Sequence, residues 1–289
     1  MPHSRLASPS ATIGVLKRHG LYTRKALGQH FLVDDNIVGR ILETAAVSPG
    51  EPVLEVGPGI GTLTDALLGA GASVVAVEYD DRLLPVLEEL RAERPALAVV
   101  HADAVSVPVA RLVTATGEMP VSLVANLPYA VAATVVLRLF EEMPSLQSAT
   151  VMVQAEVADR MAALSGTKAY GSYTVKLALR AQPVARFPVP PGCFLPPPRV
   201  ESAVIRLDRV LRGAGDELLA AAARAADAAF SQRRKTVRNS LAAGLGVATT
   251  EADQVLAAAE IDGGVRAETI GTDGYLALGR AILERSSGS

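Results

Sequence analysis

A run of apolar residues that leads straight into a glycine-rich turn constrains the fold of this chain more than any other feature. The segment is Val53-Leu54-Glu55-Val56-Gly57-Pro58-Gly59-Ile60-Gly61-Thr62-Leu63-Thr64. It predicts a buried strand, a tight turn and a helix in succession. Glycine suits the turn because its dihedral angles are unusual and because the backbone must approach a ligand without intervening Cβ atoms. The segment therefore predicts a nucleotide-like cofactor in the crevice at the carboxyl ends of a parallel sheet.

Short apolar runs alternate with helix-length segments through roughly the first 200 residues. The early runs are continuously apolar, as in strands that are covered on both faces. The predicted strands are residues 53–56, 73–78, 97–101, 122–125, 150–154, 173–184 and 203–208, with helices such as 63–68 and 82–91 between them. This alternation predicts an α/β fold with a doubly wound, seven-stranded and mostly parallel sheet.

The composition changes after Leu211, where the sequence becomes rich in Ala, Leu and Gly and loses its strand character. We predict a catalytic domain over residues 1–211 and a small helical domain over residues 212–289, in which residues 212–215 form the linker. Residues 1 to about 15 and residues 286–289 are expected to be poorly ordered, because chain ends are ordered only where contacts hold them.

Export and membrane insertion are both disfavoured by the sequence. The longest apolar runs are much shorter than the roughly 20 residues that a helix needs to span a bilayer. Residues 1–10 lack the apolar core of a secretory signal. The single cysteine, Cys193, cannot form an internal disulfide, which fits a reducing compartment. These observations predict a cytoplasmic protein with no membrane partner.

The positive charge of the chain is concentrated in particular segments. The net charge is −2, yet residues 160–240 hold fourteen Lys and Arg against five Asp and Glu. A second basic cluster consists of Lys17, Arg18, Arg24 and Lys25. Because a polyanion contacts a local surface, the local excess matters more than the whole-chain total. Charge alone leaves RNA binding and an ordinary solvated basic surface as equal alternatives.

The glycine turn also indicates which cofactor is bound. A dinucleotide-binding turn of the form G-x-G-x-x-G needs glycine at position 62, where Thr62 stands, and this disfavours a nicotinamide enzyme. The pattern Gly57-x-Gly59-x-Gly61 after Glu55 instead resembles motif I of the class I methyltransferases. That resemblance implies S-adenosylmethionine as the cofactor.

Two carboxylates stand at the ends of the next predicted strands. Glu78, at the end of the second strand, can accept hydrogen bonds from both ribose hydroxyls of a cofactor. Asp103, just after the third strand, suits a contact to an adenine amine. Either acid alone could be a helix cap or a surface group. Two acids at successive strand ends that follow a glycine turn favour binding of a cofactor. We expect no metal site.

The segment Asn126-Leu127-Pro128-Tyr129 follows the fourth predicted strand. Methyl transfer to an adenine N6 amine is hindered because the nitrogen lone pair is delocalised into the ring. The Asn126 side-chain oxygen and the Leu127 carbonyl could accept the amine hydrogens and free the lone pair, while Pro128 fixes the turn. Tyr129 could stack on an extruded base. This chemistry needs no strong general base. The alternative interpretation of the segment is a turn that only ends the strand.

In combination, these motifs resemble the KsgA/Dim family of ribosomal RNA adenine dimethyltransferases, which is related to the Erm methyltransferases. The resemblance extends over residues 25–241. Besides the segments above, it rests on 25–32 (KALGQHFL), 152–160 (MVQAEVADR), 194–202 (FLPPPRVES) and 230–239 (FSQRRKTVRN). It implies dimethylation of the N6 amines of two adjacent adenosines in the 3′-terminal hairpin loop of small-subunit (16S) rRNA, within an assembling subunit.

The resemblance also assigns roles to individual residues. Cofactor contacts are implied for Gln29, His30, Leu32, Gly57, Gly59, Glu78, Asp103 and Asn126, and target-base contacts for Asn126, Leu127, Pro128, Tyr129 and Phe194. Phe194 would be the second stacking partner of the base, the alternative being a core aromatic beside a proline turn. The chain departs from the family where His30 replaces the more usual Asn. Residues 130–134, which follow the reactive motif, read AVAAT and do not match the Asn and the Ser or Thr that are often seen there.

Residues 230–241 are predicted to form a basic helix. Phe230, Val237 and Leu241 would share the packed face. Arg233, Lys235 and Arg238 would point outward and bind RNA phosphates. Arg234 would lie near the apolar face and have a structural role.

Two further readings of the function remain open. One is an Erm-like enzyme that acts on large-subunit RNA, which Leu127 in place of Ile modestly disfavours. The other is a non-catalytic assembly checkpoint or a transcription factor derived from this fold. It is disfavoured because Glu78, Asp103, Asn126 and Tyr129 occur together. No dimerisation pattern is evident, so a monomer is expected.

Overall fold

The computed structural model describes residues 3–22, 29–232 and 234–287. The helices are α1 (Pro9–Arg18), α2 (Asp35–Ala45), α3 (Thr62–Gly69), α4 (Leu84–Glu93), α5 (Ala132–Glu142), α6 (Ala155–Met161), α7 (Ser172–Ala178), α8 (Asp216–Ala229), α9 (Val237–Leu245), α10 (Thr249–Ala258) and α11 (Thr272–Ser287). The strands are β1 (Phe31–Leu32), β2 (Pro52–Val56), β3 (Ser73–Glu78), β4 (Leu97–His101), β5 (Ser122–Asn126), β6 (Ser148–Gln154), β7 (Ala181–Val189), β8 (Phe194–Leu195) and β9 (Ser202–Arg209). No helix among these residues is long and apolar enough to cross a membrane.

Within the described residues, seven strands form the main sheet, in the order β4-β3-β2-β5-β6-β9-β7. β2 pairs in parallel with β3 and β5, β3 with β4, and β5 with β6, whereas β9 runs antiparallel to β6. Every residue of β3 is buried, as expected of a strand covered on both faces. The winding direction reverses between β2 and β5, which places a crevice at their carboxyl ends. The predicted doubly wound, mostly parallel sheet is confirmed.

The described residues form two compact units. The first comprises Met1–Ala158 and Pro183–Arg209, and the second comprises Asp159–Gln182 and Val210–Ser289. The predicted linker, residues 212–215, lies between β9 and α8. The sequence pattern did not indicate that residues 159–182 pack with the C-terminal helices.

The expectation of a poorly ordered N-terminus is wrong for residues 3–15. The Ser4 backbone N–H donates to Asp35 Oδ1 (2.9 Å), and the Arg5 N–H donates to Asp65 Oδ2 (3.1 Å). Ser8 caps α1, and the apolar face of this helix is buried. These contacts hold the segment in place. At the other end of the chain, α11 extends to Ser287, and residues 288–289 lie outside the described residues.

The predicted strand over residues 173–184 is wrong in its first half, because residues 172–178 form α7 and β7 begins only at Ala181. β-branched and aromatic residues at 173–175 favour a strand locally. Packing of α7 against α8 buries Thr174, Val175 and Leu177 and outweighs that preference.

β7 is the last strand of the main sheet as described, and its neighbour on the inner side is β9. Residues 182–186 of β7 are exposed, and Pro183 and Pro188 both lie within the strand. Proline inside a sheet is tolerated mainly on such an edge, because it has no N–H to donate to a neighbouring strand.

The second unit buries small residues of α8 against α9 and α11. The predicted helix over residues 230–241 is wrong: α8 ends at Ala229 and α9 begins at Val237. The loop between them is held by side-chain hydrogen bonds, in which Ser231 Oγ donates to the Ser240 carbonyl and Ser240 Oγ to the Gln232 carbonyl (both 3.2 Å). Such bonds compete with helical hydrogen bonding.

Candidate active site

A cavity of about 630 Å³ lies at the carboxyl ends of β2, β3 and β5, within the first unit. Its volume falls in the range typical of small-molecule sites. Among the residues that line it are Gln29, His30, Leu32, Gly57, Gly59, Glu78, Asp103, Asn126, Leu127, Pro128 and Tyr129. The structure thus brings the predicted cofactor residues and the reactive motif to one cavity.

The glycine turn between β2 and α3 follows the wall of this cavity closely. Gly57 and Gly59 have φ values of 68° and 62°, which side chains rarely permit. A Cβ on Gly57 would lie 3.2 Å from Pro128 Cδ, and one on Gly59 would lie 3.2 Å from Phe31 Cε1. The turn therefore needs glycine both for its dihedral angles and for the close approach of neighbouring residues.

Backbone donors hold the carboxylate of Glu78 at the end of β3. Its Oε1 accepts hydrogen bonds from the backbone N–H groups of Tyr79 and Asp80 (both 2.8 Å), and its Oε2 accepts one from Gly59 (3.2 Å). Burial raises the pKa of Glu78, and these donors partly oppose the rise. The hydrogen bond from Gly59 ties the acid to the glycine turn.

Asp80 is a cavity residue that the sequence motifs did not indicate. Its carboxylate accepts a hydrogen bond from Gln29 Nε2 (2.8 Å), so it orients a predicted cofactor residue. Arg82 pairs with the same carboxylate (2.5 Å) and keeps the pKa of Asp80 below its ordinary value. The sequence offers one indication that Asp80 lines the cavity, which is its position two residues after Glu78.

Glu55 lines the cavity from β2 and is fully buried. Burial raises its pKa to about 8, although a hydrogen bond from Thr64 Oγ1 (2.5 Å) lowers it. The neighbouring Thr62 hydroxyl is buried and has no hydrogen-bond partner in the described part of the chain. The lining of the cavity therefore includes a protonated acid and an unsatisfied hydroxyl at neutral pH.

Asp103 lies just after β4, and its side chain is exposed. Its Oδ1 accepts a hydrogen bond from the Val105 backbone N–H (2.8 Å), which fixes the orientation of the carboxylate. This Asx-type turn engages Oδ1 only, and Asp103 lines the cavity with Oδ2 as a further acceptor.

The reactive motif is held by contacts to three other segments. Asn126 Nδ2 donates to the His30 carbonyl (3.2 Å), so the amide oxygen remains an acceptor. The Leu127 N–H donates to the Met152 carbonyl (3.1 Å), and the Leu127 side chain is buried. The Tyr129 hydroxyl shares a hydrogen bond of 2.6 Å with Ser202 Oγ. Burial raises the pKa of Tyr129, so its phenol stays neutral at physiological pH.

Phe194 is not brought to the cavity. It is 3% exposed and packs in the core of the first unit, where β8 pairs antiparallel with β1 and Phe194 lies opposite Leu32. This position fits the alternative of a core aromatic and does not support a stacking face for the target base. Ser202, in the same motif, contacts Tyr129 instead, and no sequence signal had singled it out.

Two of the predicted RNA-binding residues, Lys235 and Arg238, belong to the second unit. Lys235 is exposed, and Arg238 is exposed and pairs with Asp253 at 3.8 Å. Arg233 lies outside the described residues. Arg234 is exposed between α8 and α9, so the helical face near which it was predicted to lie does not form.

The donors and acceptors of the cavity match the chemistry of S-adenosylmethionine. The cavity is lined by a glycine turn that leaves no room for Cβ atoms. It is also lined by the carboxylate of Glu78, which backbone donors hold, and by the unsatisfied Thr62 hydroxyl. Asp103 adds an acceptor after the next strand. These residues fit a nucleoside with an amino-acid tail.

Comparisons with known proteins show the family of the chain. The family described as "Ribosomal RNA adenine dimethylase" matches residues 20–277. The "Ribosomal RNA small subunit methyltransferase A" of Phenylobacterium zucineum is 42% identical over 270 residues, covering 93% of this chain and 92% of the relative. The protein of the same name from Listeria innocua is 41% identical over 244 residues, covering 82% of each.

Two solved structures share the fold. A dimethyladenosine transferase from Plasmodium falciparum has a TM-score of 0.70 at 22% identity, covering 89% of this chain and 98% of its own. The 23S rRNA methyltransferase ErmE has a TM-score of 0.62 at 28% identity, covering 87% and 98%. The family match and the curated relatives show that this chain belongs to the ribosomal RNA adenine dimethylase family.

Proposed function

We propose that this chain uses S-adenosylmethionine to dimethylate the N6 amines of two adjacent adenosines in the 3′-terminal hairpin loop of small-subunit rRNA, on an assembling subunit. The observation that carries the proposal is the cavity that the glycine turn, Glu78 and the segment 126–129 line together. The small-subunit substrate is favoured over the large one because the relatives named for it are 41–42% identical, against 28% for ErmE.

Residues at the ends of β2, β3 and β4, together with residues in and next to β1, hold the cofactor in this proposal. The Gly57–Gly59 turn gives its backbone close access, Glu78 accepts the ribose hydroxyls, and Asp103 accepts the adenine amine. Gln29, oriented by Asp80, and Leu32 line the region of the methionine end. When bound, S-adenosylmethionine supplies an electrophilic methyl group.

The segment after β5 prepares the acceptor amine. The Asn126 amide nitrogen is engaged by the His30 carbonyl, so its oxygen can accept one N6 hydrogen, and the Leu127 carbonyl accepts the other. Acceptors on the amine hydrogens, two before the first methylation and one before the second, make the nitrogen lone pair available for in-line attack, and the methylated nitrogen releases one proton to solvent in each transfer. Tyr129, anchored at its hydroxyl by Ser202, offers a ring for stacking on the extruded base. Loop bases are extruded at lower cost than duplex bases.

Lys235 and Arg238, with Arg233, supply phosphate contacts in this proposal; they are three of the four basic residues of the matched 230–239 segment. We further propose that the protein acts as a monomer in the cytoplasm, where ribosomal subunits assemble and where the lone Cys193 stays reduced.

The reaction is tested with labelled S-adenosylmethionine and unmethylated small and large subunits, followed by mass spectrometry of the nucleosides. We expect N6-dimethyladenosine in the small-subunit 3′ hairpin. Asn126→Ala removes an acceptor for the amine and is expected to slow the reaction by roughly 10²–10³-fold. Asn36→Ala, an exposed asparagine on α2, is the matched control and should retain full activity.

Each other outcome contradicts a defined part of the proposal. Label in the large subunit alone would replace the substrate by that of an Erm-like enzyme. Tight subunit binding without any label would favour an assembly checkpoint. Full activity of Asn126→Ala would remove this residue from the reaction.

A further inference from the structure

The His30 side chain lines the cavity and contacts residues of two other segments of the first unit. Its Nδ1–H donates to the Pro196 carbonyl (2.7 Å), across 166 residues of sequence. Its ring stacks on Tyr129, with centroids 6.0 Å apart and an angle of 25° between the planes. The hydrogen bond fixes the imidazole in one orientation, and in that orientation the ring lies against Tyr129.

Tyr129 is consequently held at two points. Ser202 fixes the hydroxyl end, and the His30 ring covers part of one face. A ring that is restrained before binding loses less conformational freedom when a base stacks on it, so preorganisation increases affinity. Asparagine, the more usual residue of the family at position 30, could donate to the Pro196 carbonyl but has no ring to place on Tyr129.

We propose that the His30 ring is a positioning element of the target-base site, which restrains Tyr129 and leaves its opposite face to the extruded adenine. This inference rests on the proposed function. It assigns the His30 side chain to the RNA substrate, whereas the family resemblance implies only a cofactor contact for this residue.

Two substitutions separate the ring from the hydrogen bond. His30→Asn keeps an N–H donor and removes the ring, whereas His30→Phe keeps a ring and removes the donor. We expect His30→Asn to raise the KM for unmethylated small subunits about five- to tenfold, which corresponds to the lower end of the free energy of a base–aromatic stack. The Kd for S-adenosylmethionine and the kcat should stay within about twofold, since a twofold change is under 0.5 kcal/mol. His30→Phe should recover most of the lost affinity for the subunit.

The measurements are steady-state methylation of small subunits and calorimetric binding of S-adenosylmethionine to the full chain. His19→Asn, the same change at a histidine outside the cavity, is the control. The inference is overturned if His30→Asn matches wild type, if it weakens only cofactor binding, or if His30→Phe is as impaired as His30→Asn. If wild type itself methylates no small subunit, the proposed function fails and not the inference alone.

Discussion

At the scale of single residues, burial and local ion pairs determine which acids of the cavity are charged. Glu55 is fully buried, and its pKa is raised from 4.5 to about 8. Asp80 has the opposite shift, because Arg82 stabilises its carboxylate. The lining of the cavity thus includes a neutral acid and an ionised acid at neutral pH.

The raised pKa of Glu55 makes stability depend on pH. The folded chain keeps this proton between about pH 4.5 and pH 8, whereas the unfolded chain releases it, so stability from Glu55 is present below that window and lost as pH rises through it. Glu55→Gln should therefore gain thermal stability relative to wild type from about pH 5 to about pH 9, measured by circular dichroism. The exposed Glu43→Gln is the control. If the melting temperatures of Glu55→Gln and wild type changed with pH in parallel, the raised pKa of Glu55 would be contradicted.

At the scale of elements, the pattern of apolar residues predicted those strands whose neighbours in the sheet are also close to them in the sequence. The parallel strands from β2 to β6 carry continuous apolar runs, and the acids at their ends meet at one edge because the strands are parallel. α7 was missed because its packing against α8 overrides a local strand preference. The break between α8 and α9 was missed because hydrogen bonds of Ser231 and Ser240 form only in the folded unit.

In the candidate site too, local sequence predicted the features that depend on neighbouring residues and missed those that depend on distant contacts. Residues attached to a strand end or to the glycine turn could be predicted, since their position depends on local sequence. The burial of Phe194 depends on the pairing of β1 with β8, and the link from Ser202 to Tyr129 joins segments 73 residues apart. Neither contact has a local signature.

Close packing of α11 against α8 gives a prediction at this scale. A Cβ on Gly279 would lie 2.8 Å from the backbone nitrogen of Ala222, so a helix must shift to admit it. Gly279→Ala should destabilise the protein by about 1–3 kcal/mol in urea unfolding. Gly14 of α1 has open space, and Gly14→Ala should be neutral or stabilising by up to about 1 kcal/mol. Equal effects of the two changes would show that the helices are not in close contact.

At the scale of the whole molecule, the distribution of charge matters more than its total. A net charge of −2 coexists with a strongly basic segment over residues 160–240. Changing Arg233, Lys235 and Arg238 to Ala should weaken binding to small subunits. The slope of log affinity against log salt should fall by about 0.7–0.9 for each phosphate that is no longer neutralised. Arg280→Ala, an exposed change on α11, should leave the slope unchanged. An unaltered slope in the triple variant would exclude these residues from the RNA interface.

The edge of the main sheet at β7 has a consequence for the behaviour of the protein at high concentration. Strands at a sheet edge can recruit a strand from another molecule and so begin aggregation. Pro183 and Pro188 remove two amide hydrogens from β7, and Arg186 places a charge between them. A strand from another molecule could not form a continuous ladder of backbone hydrogen bonds with β7, and its binding would desolvate the charge of Arg186. This edge therefore resists the growth of intermolecular β-structure.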